Sequence, residues 1–559
     1  MDLKRIVTLD VVRGSCILGM VALHVFSAIF DRSWIGTEEM ANKTLLDIVF
    51  LLTLAYIGGM AGLFLMVSII SHTISIRHQI GSGKKLADVM VRQIMGGLLL
   101  LLFAFIVESA IGHYGFIGRM AYWDPLGDIS FSTQVSENLP RLYYRGFHFM
   151  TLHTIAWSII INSIVQWVMY RKGGFIKDKR NVGIFGILSL MVLILTPLAW
   201  WFAGTVVDGY PYATYPGTDR MVQYPLAGVT GLFDLVKLFF LGPLAGQTEP
   251  LFPFLSIAFI GSIIGIYLTQ EKQPSGFCTR GIKTGITFLA LGILGIFLVW
   301  ELHFDSWTNF TRNPFDIMKL GIWLPVILFT TGGQIIVLFL LLRLVEFREA
   351  SYRFAERTKI LRRFGAVSLT IYTFQYIDAF PRFLLTLIPG VEVFGDRDGM
   401  ITSIIVTIIV LGFWNVLLML WSKVRFIGSA EWLFSVILSR LGKLSFKRGE
   451  STLKKEKWYY VPRLDLFTGK NEVDWMDLSE KGIKEESEVR DSRLSYWLSI
   501  AGLVLMPLAV VSYFISRKLM EKEQCNRLSR LSQKISKLGI VIGVIKLLIL
   551  AVTRNVVLN

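Results

Sequence analysis

Cysteine is scarce in this chain, which has 3 cysteines among 559 residues. Cys16, Cys278 and Cys525 lie far apart, and their spacing matches neither a disulfide framework nor a cysteine metal site. His148 and His153 are five residues apart, which puts them well apart around a helix. The sequence therefore predicts no metal site.

Several signatures of common enzyme classes are also absent. The chain has no Walker loop, no Gly-x-Gly-x-x-Gly between a strand and a helix, and no Ser-His-Asp order. Its net charge is +16, but no basic folded face is recognisable, so nucleic-acid binding is not expected. If the protein is an enzyme, its active site is therefore expected to be of a type other than these.

Long apolar runs are what the chain has in abundance. It is 53% hydrophobic and 13% aromatic, with a mean hydropathy of +0.57. Backbone groups in lipid must be satisfied within their own segment, so spanning runs of about 20 residues are expected to be helices. We predict an all-α, multi-pass membrane protein with about ten core spans. These lie near 11–30, 47–71, 90–111, 147–170, 182–204, 250–269, 283–300, 321–345, 365–389 and 400–422, with two weaker C-terminal spans near 495–515 and 537–553.

Basic residues divide the loops into two sets. Segments 77–92, 171–180, 271–283 and 346–363 carry 18 Lys or Arg, whereas loops 31–43, 113–145, 205–249, 301–319 and 390–399 carry 10. The positive-inside rule then places the N-terminus in the cytoplasm and the chain in the cell membrane. The first run lacks a cleavage site and is expected to be a retained helix.

Composition also suggests the chain's divisions. A membrane domain is predicted over 1–443, a charged cytoplasmic linker or appendage over 444–492, and C-terminal membrane helices over 493–559. The loops 113–145 and 205–249, predicted to lie outside, are long and aromatic. Aromatic faces and carboxylates suit a glycan or similar polar acceptor, although an interfacial aromatic belt has the same composition.

The first span carries ionisable residues that a membrane helix rarely tolerates. Eleven residues separate Arg13 from His24, about 16 Å and almost three turns, so the two side chains share one helix face. Asp10 lies one turn before Arg13. Such residues within a span indicate a functional site by default; the simpler alternative is that Arg13 reaches the headgroups and His24 bonds a neighbouring helix.

The residues around this face resemble known families. The opening Leu9-Asp10-x-x-Arg13-Gly14, followed by His24, resembles the acyltransferase-3 family of membrane O-acetyltransferases. It also resembles the heparan-α-glucosaminide N-acetyltransferase family and its YeiB-like bacterial relatives. Further similar motifs are Ser33-Trp34-Ile-Gly36 with Asp47-Ile-Val-Phe50, Gly365-Ala-Val-Ser-Leu-Thr370-Ile-Tyr372-x-x-Gln375, and Gly428-Ser-Ala-Glu431-Trp432.

The sequence also departs from these patterns. Asp31 stands where the glucosaminide enzymes carry their catalytic histidine, Leu51 replaces a usual proline, and Ser429 replaces another. His24 fits the acyltransferase-3 spacing instead. The resemblance implies an acyltransferase domain over 1–443, without identifying the acceptor or the acyl chain.

The resemblance implies that the protein transfers an acyl group, acetyl by default. The donor would be cytoplasmic acyl-coenzyme A, and the acceptor a polar molecule such as a glycan on the extracytoplasmic side. In this interpretation Arg13, aided by Arg92, binds the coenzyme A phosphates. His24 takes the acceptor proton as general base. Asp10, Asp31 and Glu108 are further catalytic candidates, and the substrate-binding candidates are Trp34, Asp47, Tyr372 and Gln375. Membrane lipid is an expected partner, and an oligomer is possible.

Alternatives remain open at this point. A transporter or channel for a small polar or anionic solute would also explain charge within spans, but it would favour paired broken helices. A sensory or scaffolding protein that binds a partner through 444–492 is a third hypothesis. His72, His78, His113 and His303 lie at loop margins and are expected to be surface residues.

Overall fold

The computed structural model describes most of the apolar part of the chain. The described residues are 6–31, 53, 56–57, 59, 61–123, 131–139, 142, 145–147, 149–206, 212–214, 221–223, 231–245, 249–270, 273–303, 323–347, 354–355, 357–388, 399–423, 426–445, 495–500, 506–521 and 532–542. The chain divides into two compact units, Met1–Asn471 and Glu472–Asn559.

The first unit is a helical bundle. Its helices are α1 Val7–Ser27, α2 Ala61–Gly81, α3 Leu86–Ile106, α4 Phe116–Trp123, α5 Phe131–Asn138, α6 Thr151–Tyr170, α7 Asp178–Val206, α8 Leu232–Ala245, α9 Leu251–Leu268, α10 Phe277–His303, α11 Trp323–Leu341, α12 Lys359–Ala366, α13 Ser368–Thr373, α14 Ala379–Thr386, α15 Met400–Lys423 and α16 Ala430–Ser445. Nine helices among the described residues are long and apolar enough to cross a membrane. The protein is therefore an all-α, multi-pass membrane protein, as predicted.

Lipid-facing helices can be recognised by their exposed apolar side chains. Ile194 on α7 is 66% exposed and Ile401 on α15 is 75% exposed. Water would penalise such side chains, whereas the hydrocarbon core of a bilayer accommodates them. In contrast α2, α6 and α9 contribute many buried residues to the main core, so these three helices lie inside the bundle.

Two predicted spans of the first unit differ from the structure. The span predicted near 47–71 is represented by α2, which continues to Gly81; residues 32–52 are outside the described part. The span predicted near 365–389 is broken into α12, α13, a 3₁₀ turn over Gln375–Asp378, and α14. Its apolar composition continues across both breaks, so hydropathy could not reveal them.

The long aromatic loop predicted over 205–249 also contains regular structure. A two-stranded antiparallel hairpin pairs β1 Tyr212–Thr214 with β2 Met221–Gln223, and Tyr212 lies opposite Gln223. The helix α8 follows the hairpin. Part of this predicted loop therefore has regular secondary structure.

Polar contacts fix the end of the bundle at which α1 begins, here called the N-terminal end. The Arg77 guanidinium, at the end of α2, donates to Asp178 Oδ1 at 2.8 Å and to Thr269 Oγ1 at 2.7 Å. Its carbon lies 4.8 Å from the centre of the Phe175 ring. These contacts hold the ends of α2, α7 and α9 together at the N-terminal end.

The second unit has a serine repeat that sequence inspection missed. Its described helices are α17 over 495–500, α18 Met506–Glu521 and α19 over 532–542. Each carries two fully buried serines four residues apart, and Ser495, Ser512 and Ser532 hydrogen-bond one another. The small, polar serines allow the three helices to approach closely.

Candidate functional site

A cavity of about 1070 Å³ runs through the first unit beside α1. The α1 face that lines it extends from Arg13 to His24, as the spacing of these residues predicted. The other walls come from α2, α3, α6, α9, α11, α13 and α16. A mostly apolar cavity with a few convergent polar groups is typical of a ligand site.

Arg13 lines the cavity toward the N-terminal end. Its Nη2 donates to the Ser71 hydroxyl at 3.2 Å, and Ser68 and Ser75 line the same wall. Among the lining residues within the described ranges, Arg13 is the one with a permanent positive charge. Ser68 and Ser71 donate their hydroxyl protons to the backbone carbonyls four residues earlier. A phosphate here would therefore meet the Arg13 guanidinium and the Ser75 hydroxyl.

The second predicted cationic residue has a different position. Arg92 is exposed on α3, and its neighbour Gln93 lines the cavity instead. Arg77, in the basic segment 77–92, is engaged with Asp178 and Thr269. The described cavity wall therefore brings together Arg13 and hydroxyl groups, not Arg13 and Arg92.

His24 lies on the cavity wall in the last turn of α1 and has a defined partner. Its Nδ1 is 2.8 Å from Oε1 of Gln375, in the 3₁₀ turn that follows α13. The rings of His24 and His113 stack at 5.7 Å between centres, and Tyr114 approaches the His24 ring edgewise at 6.0 Å. The imidazole is held on three sides.

His113 was expected at the surface, and that expectation is wrong. It lines the cavity beside His24 because the chain after α3 turns back and α4 packs against the Gln375–Asp378 turn. His72 is also buried in the cavity wall, with Nε2 3.0 Å from the Ser163 hydroxyl. His78 is exposed, as predicted; the His303 side chain is outside the described part.

Two further carboxyl groups, Glu108 and Glu249, line the same cavity as His24. Glu108 is buried on a π-helical turn, Val107–Ile111, that continues α3, and its Oε1 accepts a 2.8 Å hydrogen bond from Tyr372. Glu249 lies just before α9, where burial raises the pKa of its carboxyl to about 7 against a smaller opposing effect of its hydrogen bond with Thr151. The structure thus joins Glu108 and Tyr372, which sequence analysis selected separately, and adds Glu249, which it missed.

The motifs quoted from distant parts of the chain meet at α1. Gly14 lies where α1 crosses α12: a Cβ added to Gly14 would be 2.6 Å from the Leu361 carbonyl carbon and 3.0 Å from Gly365 N. Such distances are too short for ordinary contacts, so the two glycines permit the crossing. The crossing in turn positions α13 and the Gln375 turn next to His24.

The last motif supports the same segment. The Glu431 carboxylate accepts a 2.6 Å hydrogen bond from the Thr370 hydroxyl and also accepts from backbone N–H groups in the first turn of α13. These N–H groups have no partner within their own helix. Ser429, at the place of a usual proline, accepts from Trp432 N at 3.1 Å and so caps α16. Serine at this position therefore still starts a helix, through a side-chain cap in place of the proline ring.

Two predicted site residues, Asp10 and Asp31, lie away from the described cavity wall. Asp10 is part-exposed on α1 beside the crossing with Gly365, and Asp31 is part-exposed just after α1. Neither is among the lining residues. Trp34 and Asp47 are outside the described part of the chain.

Gln334 is a further lining residue that sequence analysis missed. It is 3% exposed on α11, and its Nε2 donates to the Gly59 carbonyl at 2.8 Å. The sequence did carry a sign of this role, because Gln334 is a polar amide within the apolar run 321–345.

No family model matches the chain, and no curated protein matches it. The geometry of the cavity therefore has to support any functional conclusion.

Proposed function

We propose that the protein is a membrane acyltransferase that moves an acyl group, acetyl by default, from acyl-coenzyme A to a polar acceptor. The observation that supports this best is that a cationic group, an imidazole and two carboxyl groups line one cavity. Arg13 and His24 lie about 16 Å apart along α1, and Glu108 and Glu249 line the same cavity as the His24–Gln375 pair. A donor whose phosphates bind at Arg13 would bring its thioester to His24, where an acceptor held by the carboxyl groups would meet it.

Arg13 and Ser75 on α2 suit the donor end. A guanidinium forms two parallel hydrogen bonds with a phosphate, and the neighbouring Ser75 hydroxyl adds a donor. The distance from Arg13 to His24 along α1, about 16 Å, suits a long flexible arm between the phosphates and a thioester. The apolar wall of Cys16, Ile17 and Met20 would exclude water from that arm.

His24 is the proposed general base. The ring takes the proton from the acceptor hydroxyl or amine as that atom attacks the thioester carbonyl carbon. The carbon–sulfur bond then breaks, and the thiolate leaves with the same proton returned by the imidazolium. Glu108, Glu249 and Tyr372 are placed to hydrogen-bond hydroxyl or amine groups of an acceptor such as a glycan.

The location of the protein is part of this proposal. The higher number of Lys and Arg residues in one set of loops supports an orientation in the cell membrane with the N-terminal end facing the cytoplasm, where coenzyme A thioesters occur as the donor. The acceptor would then enter from outside. Tagged N-termini that are accessible only in permeabilised cells would support this orientation.

Acetyl-coenzyme A binding tests the donor site. In purified protein, Arg13→Ala is expected to weaken binding at least about tenfold, because a charge-assisted hydrogen bond contributes roughly 1.5–3 kcal/mol. The matched control is Arg92→Ala, which removes an exposed arginine and should leave affinity unchanged. Equal affinity in Arg13→Ala and wild type would exclude Arg13 from the donor site.

Radiolabelled acetyl transfer to a panel of amino and hydroxy sugars tests the base. His24→Ala should reduce the rate roughly 100- to 10,000-fold while acetyl-coenzyme A still binds. Asp31→Asn tests the rival base, and His78→Ala is the exposed-histidine control. Loss of transfer in Asp31→Asn together with normal transfer in His24→Ala would assign the base to Asp31.

A transporter or channel for a small polar or anionic solute is the second candidate. The broken segment from α12 to α14, next to a cavity in the bundle, favours it because discontinuous helices form the sites of many transporters. Solute flux in proteoliposomes without any acetyl-coenzyme A turnover would select the transporter.

A further inference from the structure

Gln375 occupies a break in the helical path. After α13 the backbone leaves the helix at Phe374 (φ −102°, ψ 25°), and the 3₁₀ turn begins at Gln375. The side chain is 1% exposed and lines the cavity. The break therefore places an amide next to His24 on the cavity wall.

The contact between the two side chains fixes where the imidazole proton lies. A carbonyl oxygen only accepts hydrogen bonds, so with Oε1 of Gln375 at 2.8 Å, the proton is on Nδ1 of His24. The second ring nitrogen, Nε2, then has the free electron pair that a base requires. His113 and Tyr114 limit rotation of the ring.

The other end of the amide has no partner. Nε2 of Gln375 is buried and makes no hydrogen bond with any described residue. An unsatisfied buried donor costs roughly 1–3 kcal/mol, a cost that a bound ligand with an acceptor atom would remove. The cavity that Gln375 lines is where such a ligand would lie.

We infer that Gln375 serves the proposed acyl transfer in two ways. Its Oε1 positions His24 and selects the Nδ1–H tautomer, and its Nε2–H donates to the carbonyl oxygen of the thioester. This inference rests on the proposed function, and it replaces general substrate binding with a defined role for this residue.

The reaction balances with these groups alone. The acceptor oxygen or nitrogen forms a bond to the carbonyl carbon and gives its proton to Nε2 of His24. The carbonyl oxygen becomes an oxyanion that accepts from Nε2–H of Gln375. When the carbon–sulfur bond breaks, the carbonyl re-forms, and the leaving thiolate takes the proton from His24.

Nitrogen-15 NMR of histidine-labelled protein tests the positioning role without using activity. The chain has 7 histidines, and the His24 signals are assigned by their loss in His24→Ala. Wild type is expected in the Nδ1–H form. Gln375→Met should shift His24 toward the Nε2–H form, whereas Gln334→Met, which removes another amide from the same cavity, should leave the His24 signals unchanged.

Release of free thiol from acetyl-coenzyme A, with water or a sugar as acceptor, tests the oxyanion role. Gln375→Met should lower kcat roughly 100- to 1000-fold, the usual effect of losing one oxyanion donor, while KM for acetyl-coenzyme A changes less than about threefold. Gln375→Glu keeps an oxygen for Nδ1–H but loses the donor, so it should keep the Nδ1–H form and still lose kcat.

Three results would overturn the inference. These are an Nε2–H form of His24 in wild type, unchanged kcat in Gln375→Met, or a raised KM with unchanged kcat, which would leave only substrate binding. If wild type neither binds nor cleaves acetyl-coenzyme A, the proposed function and the oxyanion role fail together, and the NMR comparison still decides the positioning role.

Discussion

The crossing of α1 and α12 allows a stability prediction that does not depend on function. In Gly14→Ala the new methyl carbon would lie 2.6 Å from the Leu361 carbonyl carbon and 3.0 Å from Gly365 N. Both neighbours are backbone atoms, so no side-chain rotation relieves the overlap. The Leu361 carbonyl oxygen would lie closer still, so restoring ordinary contacts of about 3.5–4.0 Å requires α1 and α12 to separate by roughly 2 Å.

The expected loss follows from the cost of overpacking. Forcing a methyl into a well-packed interface costs typically about 1–3 kcal/mol, occasionally more, and here the displaced element also carries α13 and Gln375. Unfolding in detergent, followed by the fluorescence of the 15 tryptophans, should show a clearly lower midpoint for Gly14→Ala. Gly186→Ala on α7 is the matched control, because its Cβ would meet nothing within 4 Å. There alanine should be neutral or stabilise by up to about 1 kcal/mol. Equal midpoints for Gly14→Ala and Gly186→Ala would refute the crossing.

Three further predictions concern polar contacts. Thr370→Val removes a donor to Glu431, so the midpoint of unfolding should fall by the equivalent of about 1–3 kcal/mol. The control is Thr287→Val, which changes an exposed threonine on α10. An equal fall of the midpoint in both variants would contradict this prediction. Arg77→Ala leaves Asp178 without its ion-pair partner and should destabilise the N-terminal end, detected as faster proteolysis of the 171–180 loop; an unchanged cleavage rate would count against the contact. The raised pKa of Glu249, about 7, means that the neutral carboxyl is favoured in the folded protein. The contribution of Glu249 to the free energy of unfolding is therefore fully present below about pH 4.5. It is lost as the pH rises through 7, and the loss is at most about 3 kcal/mol. Glu249→Gln should flatten the unfolding profile between these values, and an unchanged slope would refute the assignment.

The face of α1 was predictable because it depends on local rules only. Helical geometry places Arg13 and His24 on one side, and the cost of ionisable groups in lipid indicates that this side faces a cavity or a partner. The structure has both residues on the cavity wall. No long-range information was needed.

The broken segment was not predictable in the same way. Residues 365–389 are apolar enough to read as one span, and what breaks the helix is tertiary. Glu431, about sixty residues later, satisfies the N–H groups that a break after Val367 exposes. A hydropathy pattern contains no information about a cap supplied from so far away in the chain.

His113 and Glu249 were missed for a related reason. Both lie just outside apolar runs, where a polar residue usually meets water or headgroups, and a return of the chain buries them. Sequence position relative to a span gives depth, but not whether the adjoining segment folds back into the bundle.

The structure shows how the quoted motifs depend on one another. From the sequence they are four short matches, each explained separately by resemblance. In the structure Gly14 contacts Gly365, His24 bonds Gln375, and Thr370 bonds Glu431, so three of them form one connected cluster. Within that cluster the glycines set the spacing of α1 and α12, the carboxylate stabilises the helix break, and the break presents the amide to the imidazole. A change at Gly14 or Glu431 is therefore expected to act on the site through the position of Gln375, even though neither residue is proposed to touch the reacting atoms.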